Sequence, residues 1–211
     1  MAVSEEIPFQ YVGGDPAIDL VNTVDWTSRG PENDRLTDFG GVIQWAVGAG
    51  TLSAKAAQSY RAQAGTRVRD AEAAYRNVVK VRSVLQRLFH AAAEGGPPED
   101  ALNDFNRWLG RALEGMRVAP RGGRRETGKL QLGWVGQEEN LDSILWPVLW
   151  SAASLIVSDE ASRIRICGGP DCGWMYVDRS RNKLRRWCQM ETCGTREKSR
   201  RRYRRMRRLP S

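Results

Sequence analysis

Apolar positions recur at steps of three and four through most of the first 160 residues, a spacing that predicts helices. The longest run covers 66–93, with Ala74, Val78, Val81, Leu85, Leu88 and Phe89 on one face. It stops at Gly95-Gly96-Pro97-Pro98, where proline removes the donor a helix needs. Leu36, Phe39, Val42, Ile43 and Ala46 predict a shorter helix, capped by Thr37 or Asp38 and ended by Gly48 and Gly50. Ser53 is placed to cap another, reaching about Gln63, and Leu102, Phe105, Leu109 and Leu113 carry one over 99–113. Near the N-terminus, Asp15 caps and Pro16 opens a helix through Leu20, Val21 and Val24. Before it, residues 1–12 look extended and Phe9–Val12 has strand composition. The Gly-, Pro-, Asn- and Asp-rich stretch 25–35 reads as loop.

The period then changes. Residues 116–119 and 129–135, where Leu130, Leu132 and Trp134 alternate, predict a hairpin turned at 120–125. Asn140 or Asp142 opens a helix to Val157, bent at Pro147. Ser158-Asp159-Glu160 marks a boundary. Beyond it come two short strands, 163–166 and 173–178, then a basic connection, 179–186. A basic helix follows from Arg196 to Arg208, with Thr195 as its cap. The expected fold is α+β: a mostly helical N-terminal domain with a small β-hairpin (1–160), followed by a small module with a short hairpin and a basic C-terminal helix (161–211).

All four cysteines lie in that module, spaced Cys167-x4-Cys172-x15-Cys188-x4-Cys193. Two close pairs joined by one connection suit a tetrahedral Zn²⁺ site, and four thiolates close the coordination shell, so the metal would be structural. An iron–sulfur cluster, two disulfides or free thiols are the alternatives; disulfides need an oxidising compartment. A module of this size cannot bury an adequate core by itself, and zinc binding supplies about 10–16 kcal/mol in such modules. Trp174, Tyr176 and Trp187 are expected to pack beside the metal, with base stacking as the sharper reading. Tyr203 and Met206, three apart on the basic helix, are placed to pack on the module.

Charge alters the picture further. Residues 167–211 carry 14 Lys/Arg and 4 Asp/Glu, a net of +10, while residues 1–166 carry 19 and 21, a net of −2. Confining positive charge to one small module is the footprint of a polyanion binder. No phosphate-binding glycine loop or nucleophile elbow is present. Asp15, Asp19 and Asp25 are more simply caps and solvated groups, and His90, the only histidine, is a helix-end residue, so no enzyme is expected. A small-molecule inducer pocket is expected among Asp19, Asn22, Thr23, Trp26 and Trp45. The apolar stretch 141–157 is interrupted by Asp142, Ser143, Pro147, Ser151 and Ser154, so it reads as a buried helix and not a membrane span. Residues 1–10 lack the basic start of a secretion signal, and the expected location is cytoplasmic.

Several segments together resemble a known family. Cys172-Gly173-Trp174, Asp178-Arg179-Ser180-Arg181-Asn182, Arg185-Arg186-Trp187-Cys188, Met190 and Cys193-Gly194-Thr195-Arg196-x-Lys198 are similar to the CGNR zinc finger. Thr195 stands where that family has Asn. Gly13-Gly14, Leu20-Val21-Asn22-Thr23 and the helix before the finger resemble the ABATE domain that usually precedes it, described as a stress-induced transcription regulator. The resemblance implies a bacterial transcriptional regulator with an N-terminal domain that senses or oligomerises. On that reading double-stranded DNA is the partner. Arg179, Arg181, Arg185 and Arg186 would clamp phosphates beside a helix carrying Arg196, Lys198, Arg200, Arg201, Arg204 and Arg205. The alternatives are an RNA- or ribosome-binding zinc protein, or a ligand-sensing interaction protein with a localising tail. A single small module gives modest specificity, so a homodimer is expected.

Overall fold

A computed structural model describes residues 9–96, 99–120, 129–137 and 140–207. The organising element is the long helix α4 (Val68–Glu94), preceded by α1 (Pro16–Val21), α2 (Phe39–Gly48) and α3 (Ala54–Thr66). It is followed by α5 (Glu99–Glu114) and α6 (Trp146–Ile156). Ala74, Val78, Val81, Leu85, Leu88 and Phe89 form the buried face of α4, as their three-and-four spacing predicts. Asp15 accepts from Ala17 N at α1, Asp38 (not Thr37) from Gly41 N at α2, and Ser53 from Ala56 N at α3. Each satisfies an amide the first helical turn leaves without a partner. No helix among the described residues is long and apolar enough to cross a membrane.

Three two-stranded antiparallel sheets complete the fold: β1 (Asp25–Thr27) with β2 (Gly30–Glu32), β3 (Met116–Pro120) with β4 (Leu130–Trp134), and β5 (Ile164–Ile166) with β6 (Met175–Val177). The β3–β4 register runs from Met116 opposite Trp134 to Pro120 opposite Leu130. The predicted turn between them falls on Arg121–Arg125, outside the described residues, as do residues 1–8 of the expected extended start.

Four local expectations need correction. The segment 25–35 is not plain loop: Asp25 to Glu32 is the β1–β2 hairpin. Phe9–Val12 pairs with no strand among the described residues. Instead Tyr11 donates its hydroxyl to Trp45 O (3.0 Å), and Phe9 is buried. Pro147 does not bend a helix but lies in the first turn of α6, where its missing N–H costs nothing. A 3₁₀ turn, Leu141–Leu145, capped by Asn140, comes before it. Thr195 is the first residue of α7 (Thr195–Met206), not its cap; its hydroxyl donates to Met190 O (3.1 Å).

The core does not end at residue 160. Ile164, Met175 and Val177 of the β5–β6 hairpin share one hydrophobic cluster with α1, α2, α4, α5 and α6. The free edge of β6 is covered by the chain before and after α1. Gly173 N donates to Trp26 O (2.7 Å) and Val177 N to Gly13 O (2.8 Å). Between them Asn22 grips the Met175 peptide from both sides, Nδ2 donating to its O (2.8 Å) and Oδ1 accepting from its N (2.9 Å). Gly173 permits the approach, since a Cβ there would lie 2.7 Å from Trp26 Cβ. Arg82, a buried cation of α4, donates to Thr23 Oγ1 (2.9 Å) and pairs with the Asp34 carboxylate. It thereby fixes both ends of the segment that carries β1–β2.

Two outcomes follow from these contacts. Asn22→Ala should destabilise the zinc-loaded chain by about 2–4 kcal/mol in a denaturant titration, because it leaves a buried N–H and C=O without partners. Asp19, buried beside Gly13, has its carboxyl pushed up to about 6, chiefly by desolvation. The folded state therefore holds this proton more tightly than the unfolded chain, and stability falls as pH rises between about 4 and 6. A carboxyl-carbon NMR titration should place the Asp19 midpoint in that region, and Asp19→Asn should remove this share of the pH dependence.

Candidate metal centre

The two cysteine pairs are delivered by different local structures. Cys167 follows β5, and the turn Gly168-Gly169-Pro170-Asp171 returns the chain to Cys172, with Asp171 in the left-handed region at φ 54°. Asn and Asp tolerate that conformation better than most residues. Cys188 ends the basic connection. Cys193 lies in a π-helical turn, Met190–Gly194, that runs straight into α7. The four Sγ atoms all lie within 4.8 Å of one another. Cys172 and Cys188 sulfurs are 3.9 Å apart, and those of Cys188 and Cys193 3.7 Å. A tetrahedron of sulfurs at the zinc–thiolate bond length has edges of about 3.8 Å. A disulfide needs about 2.05 Å, so the cysteines are unpaired thiols arranged around a common point.

The electrostatics agree with a cation at that point. The Cys167 thiol is held far below the usual range by sulfur hydrogen bonds from Cys172 and Cys188, helped by the backbone amides of Cys188 (3.2 Å) and Gly169 (3.4 Å). The same crowding pushes Cys172 up to about 12 and Cys188 higher still. Cys167, Cys172 and Cys188, this close, cannot all ionise against one another. A divalent cation removes the conflict by taking all four as thiolates.

The surrounding shell is built as expected. Trp174, Tyr176 and Trp187 pack with the cysteines in a second cluster, and Trp174 Nε1 donates to Val24 O (3.1 Å). Asp178, which the sequence placed in the family-like segment without a role of its own, organises the connection between the pairs. Its Oδ1 accepts from Ser180 N (2.9 Å) and Oγ (2.5 Å), and its Oδ2 from Arg185 N (3.1 Å). The Ser180 bonds do most to hold this buried carboxyl below its usual range. The Asp-x-Ser spacing could have signalled an Asx turn.

Family models match the chain in two consecutive stretches. Residues 14–159 match ABATE, described as "Putative stress-induced transcription regulator", and residues 163–206 match the CGNR zinc finger. The chain belongs to the ABATE family. No curated protein matches it. With the finger's family and the sulfur geometry in agreement, Cys167, Cys172, Cys188 and Cys193 hold one structural zinc.

The cations of the CGNR finger divide into two sets. Arg179 is spent on the seam with the ABATE part: it binds both Glu160 carboxylate oxygens (2.7 Å each) and Gly14 O (2.5 Å). Arg185 lies 4.1 Å over the Tyr176 ring and donates to the carbonyls of Trp187, Val12 and Cys188. Both were expected at phosphates; Arg179, its side chain 50 % exposed, staples the seam, and the half-buried Arg185 staples the metal knuckle. Arg186 stacks on Trp187 at 4.8 Å and stays exposed. Arg181, Arg196, Lys198, Arg200, Arg202 and Arg204 are exposed, with no ion pair among the described residues, while Arg201 pairs with Glu197 (2.9 Å). The side chain of Arg205 lies outside the described residues. Tyr203 and Met206 do not pack on the finger; they are 61 % and 63 % exposed. Of the expected inducer pocket, Asp19, Asn22, Thr23 and Trp45 are buried in the core and the seam. Only Trp26 reaches a cleft, one of about 350 Å³ beside Arg35, Cys172 and Arg196.

Elemental analysis should find one zinc per chain, and Cys188→Ala should abolish it. Because β5 and β6 are part of the ABATE core, hydrogen exchange in that variant should accelerate from 178 to 206 while α4 keeps its protection.

Proposed function

We propose that this protein is a DNA-binding transcriptional regulator in which the zinc finger presents α7 to the duplex. The observation that carries this reading is the state of α7: its first turn is locked to the metal knuckle, and its flanks are cationic and uncovered. Arg196, Lys198, Arg200, Arg202 and Arg204 crowd one short helix with Glu197 as the acid of its first turn. Like charges at helical spacing repel, and phosphates on either side relieve that repulsion. Arg181 and Arg186 extend the cationic surface from the connection before Cys188.

The ABATE part supplies sensing or subunit association, coupled to the finger through Asn22 and the covered edge of β6. We read it as a binding unit and not a catalyst, because its clustered acids are already engaged. Asp15 accepts from Ala17 N and Ser151 Oγ, Asp19 from Gly13 N, and Asp25 pairs with Arg35.

Binding of duplex DNA should show a log K against log salt slope of about −4 to −6, matching five to six neutralised phosphates. Arg200→Ala and Arg204→Ala should each flatten it by about 1, whereas Arg179→Ala should leave the slope in place. A slope shallower than about −3, or tighter binding to structured RNA at equal salt, would count against a helix tracking a DNA groove.

A further inference from the structure

Two exposed apolar side chains of the finger, Leu184 and Met190, share one groove, whereas Tyr203 and Met206 lie away from it. The groove, of about 800 Å³, runs between the 184–190 segment and the first two turns of α7, with Val12 also lining it. Leu184 and Met190 line it and are 74 % and 52 % exposed. Trp187 forms its aromatic floor. Gly194 sets the depth: a Cβ there would lie 2.3 Å from Met190 Sδ and 2.7 Å from Trp187 Cδ1. A surface that only contacts backbone phosphates has no use for such a floor.

Two further features say what the groove would hold. Gln189 lines it, and its Oε1 is buried with no hydrogen-bond donor among the described residues. An acceptor in that position calls for an N–H from outside. The rim is cationic: Arg186 stacks over Trp187, and Lys198 has no ion-pair partner among the described residues, while Glu197 is spent on Arg201. Glu191, also on the rim, is the remaining acid.

The geometry points to a nucleotide-binding site in this groove, with an unpaired nucleobase as its occupant. The base lies against Trp187, Met190 and Leu184 and donates an N–H to Gln189 Oε1. Its phosphate meets Arg186 and Lys198. Aromatic floors take any base through its π-face, and cations beside them take the attached phosphate. A base paired within a duplex hides both faces in the stack, so the ligand is a free nucleotide or an unpaired nucleotide of a strand. Arg186 and Lys198 are shared with the surface proposed for duplex DNA, whereas Leu184, Trp187 and Met190 are not.

The test uses the zinc-loaded full chain with nitrogen-labelled indoles, titrated with AMP and with ribose 5-phosphate, which keeps the phosphate and lacks the base. AMP should shift the Trp187 indole signal saturably and bind about tenfold more tightly than ribose 5-phosphate. Leu184→Glu, at an exposed position that leaves the fold intact, should weaken AMP about tenfold. Arg204→Glu, a larger charge change outside the groove, should leave AMP binding unaltered. If a single-stranded oligonucleotide displaces AMP, the natural occupant belongs to a strand; if both bind together, it is a free nucleotide. Equal binding of AMP and ribose 5-phosphate, or equal losses in the two variants, would overturn the site. Duplex binding by Leu184→Glu, measured alongside, separates that failure from failure of the DNA-binding reading.

Discussion

Four sulfur atoms within 4.8 Å of one another govern the C-terminal quarter of this protein. Around a cation they become a rigid junction from which three chain directions depart. One leads back through β5 and β6 into the ABATE core, one along the connection held by Asp178, and one out through the π turn into α7. The last is the most dependent. A helix with so many like charges gains little from its own backbone, and its apolar residues Tyr203 and Met206 stay in solvent. Its direction is set at its first turn by Cys193 and the Thr195 hydroxyl.

The second constraint is the edge of β6. A two-stranded hairpin is marginal alone and exposes an unpaired row of donors and acceptors. Here Gly13, Asn22 and Trp26 take that row at alternate residues, Val177, Met175 and Gly173. The finger is thus built onto the ABATE part and does not hang from it. Any displacement of the segment around α1 must break these bonds or carry the metal knuckle with it. Arg82 adds a mechanical link from α4 to the same segment through Thr23 and Asp34.

This arrangement explains which features were legible in sequence. The helices were, because a buried face repeats every three or four residues wherever the partner lies. The zinc ligands were, because each cysteine pair is a local spacing. The β1–β2 hairpin was not: three-residue strands flanked by Gly, Pro and Asn leave no alternation to read. Asn22 read as a pocket residue because its partner, Met175, is 153 residues away. Composition showed where cations concentrate but not what each one faces, so Arg179 and Arg185 looked like their neighbours.

The division among those arginines follows from guanidinium chemistry. Arg185 gives its donors to three carbonyls while its plane lies on Tyr176. Arg179 sets its Nε–Nη2 fork against both Glu160 oxygens and reaches Gly14 O with Nη1. A lysine, with one compact head, could not close either arrangement. Two of the module's formal charges are thus locked into structure. Glu160 offsets the charge of Arg179, while Arg185, bonded to neutral carbonyls, keeps its own. The exposed cations thus concentrate on α7, while the arginines nearest the seam hold the two parts in register.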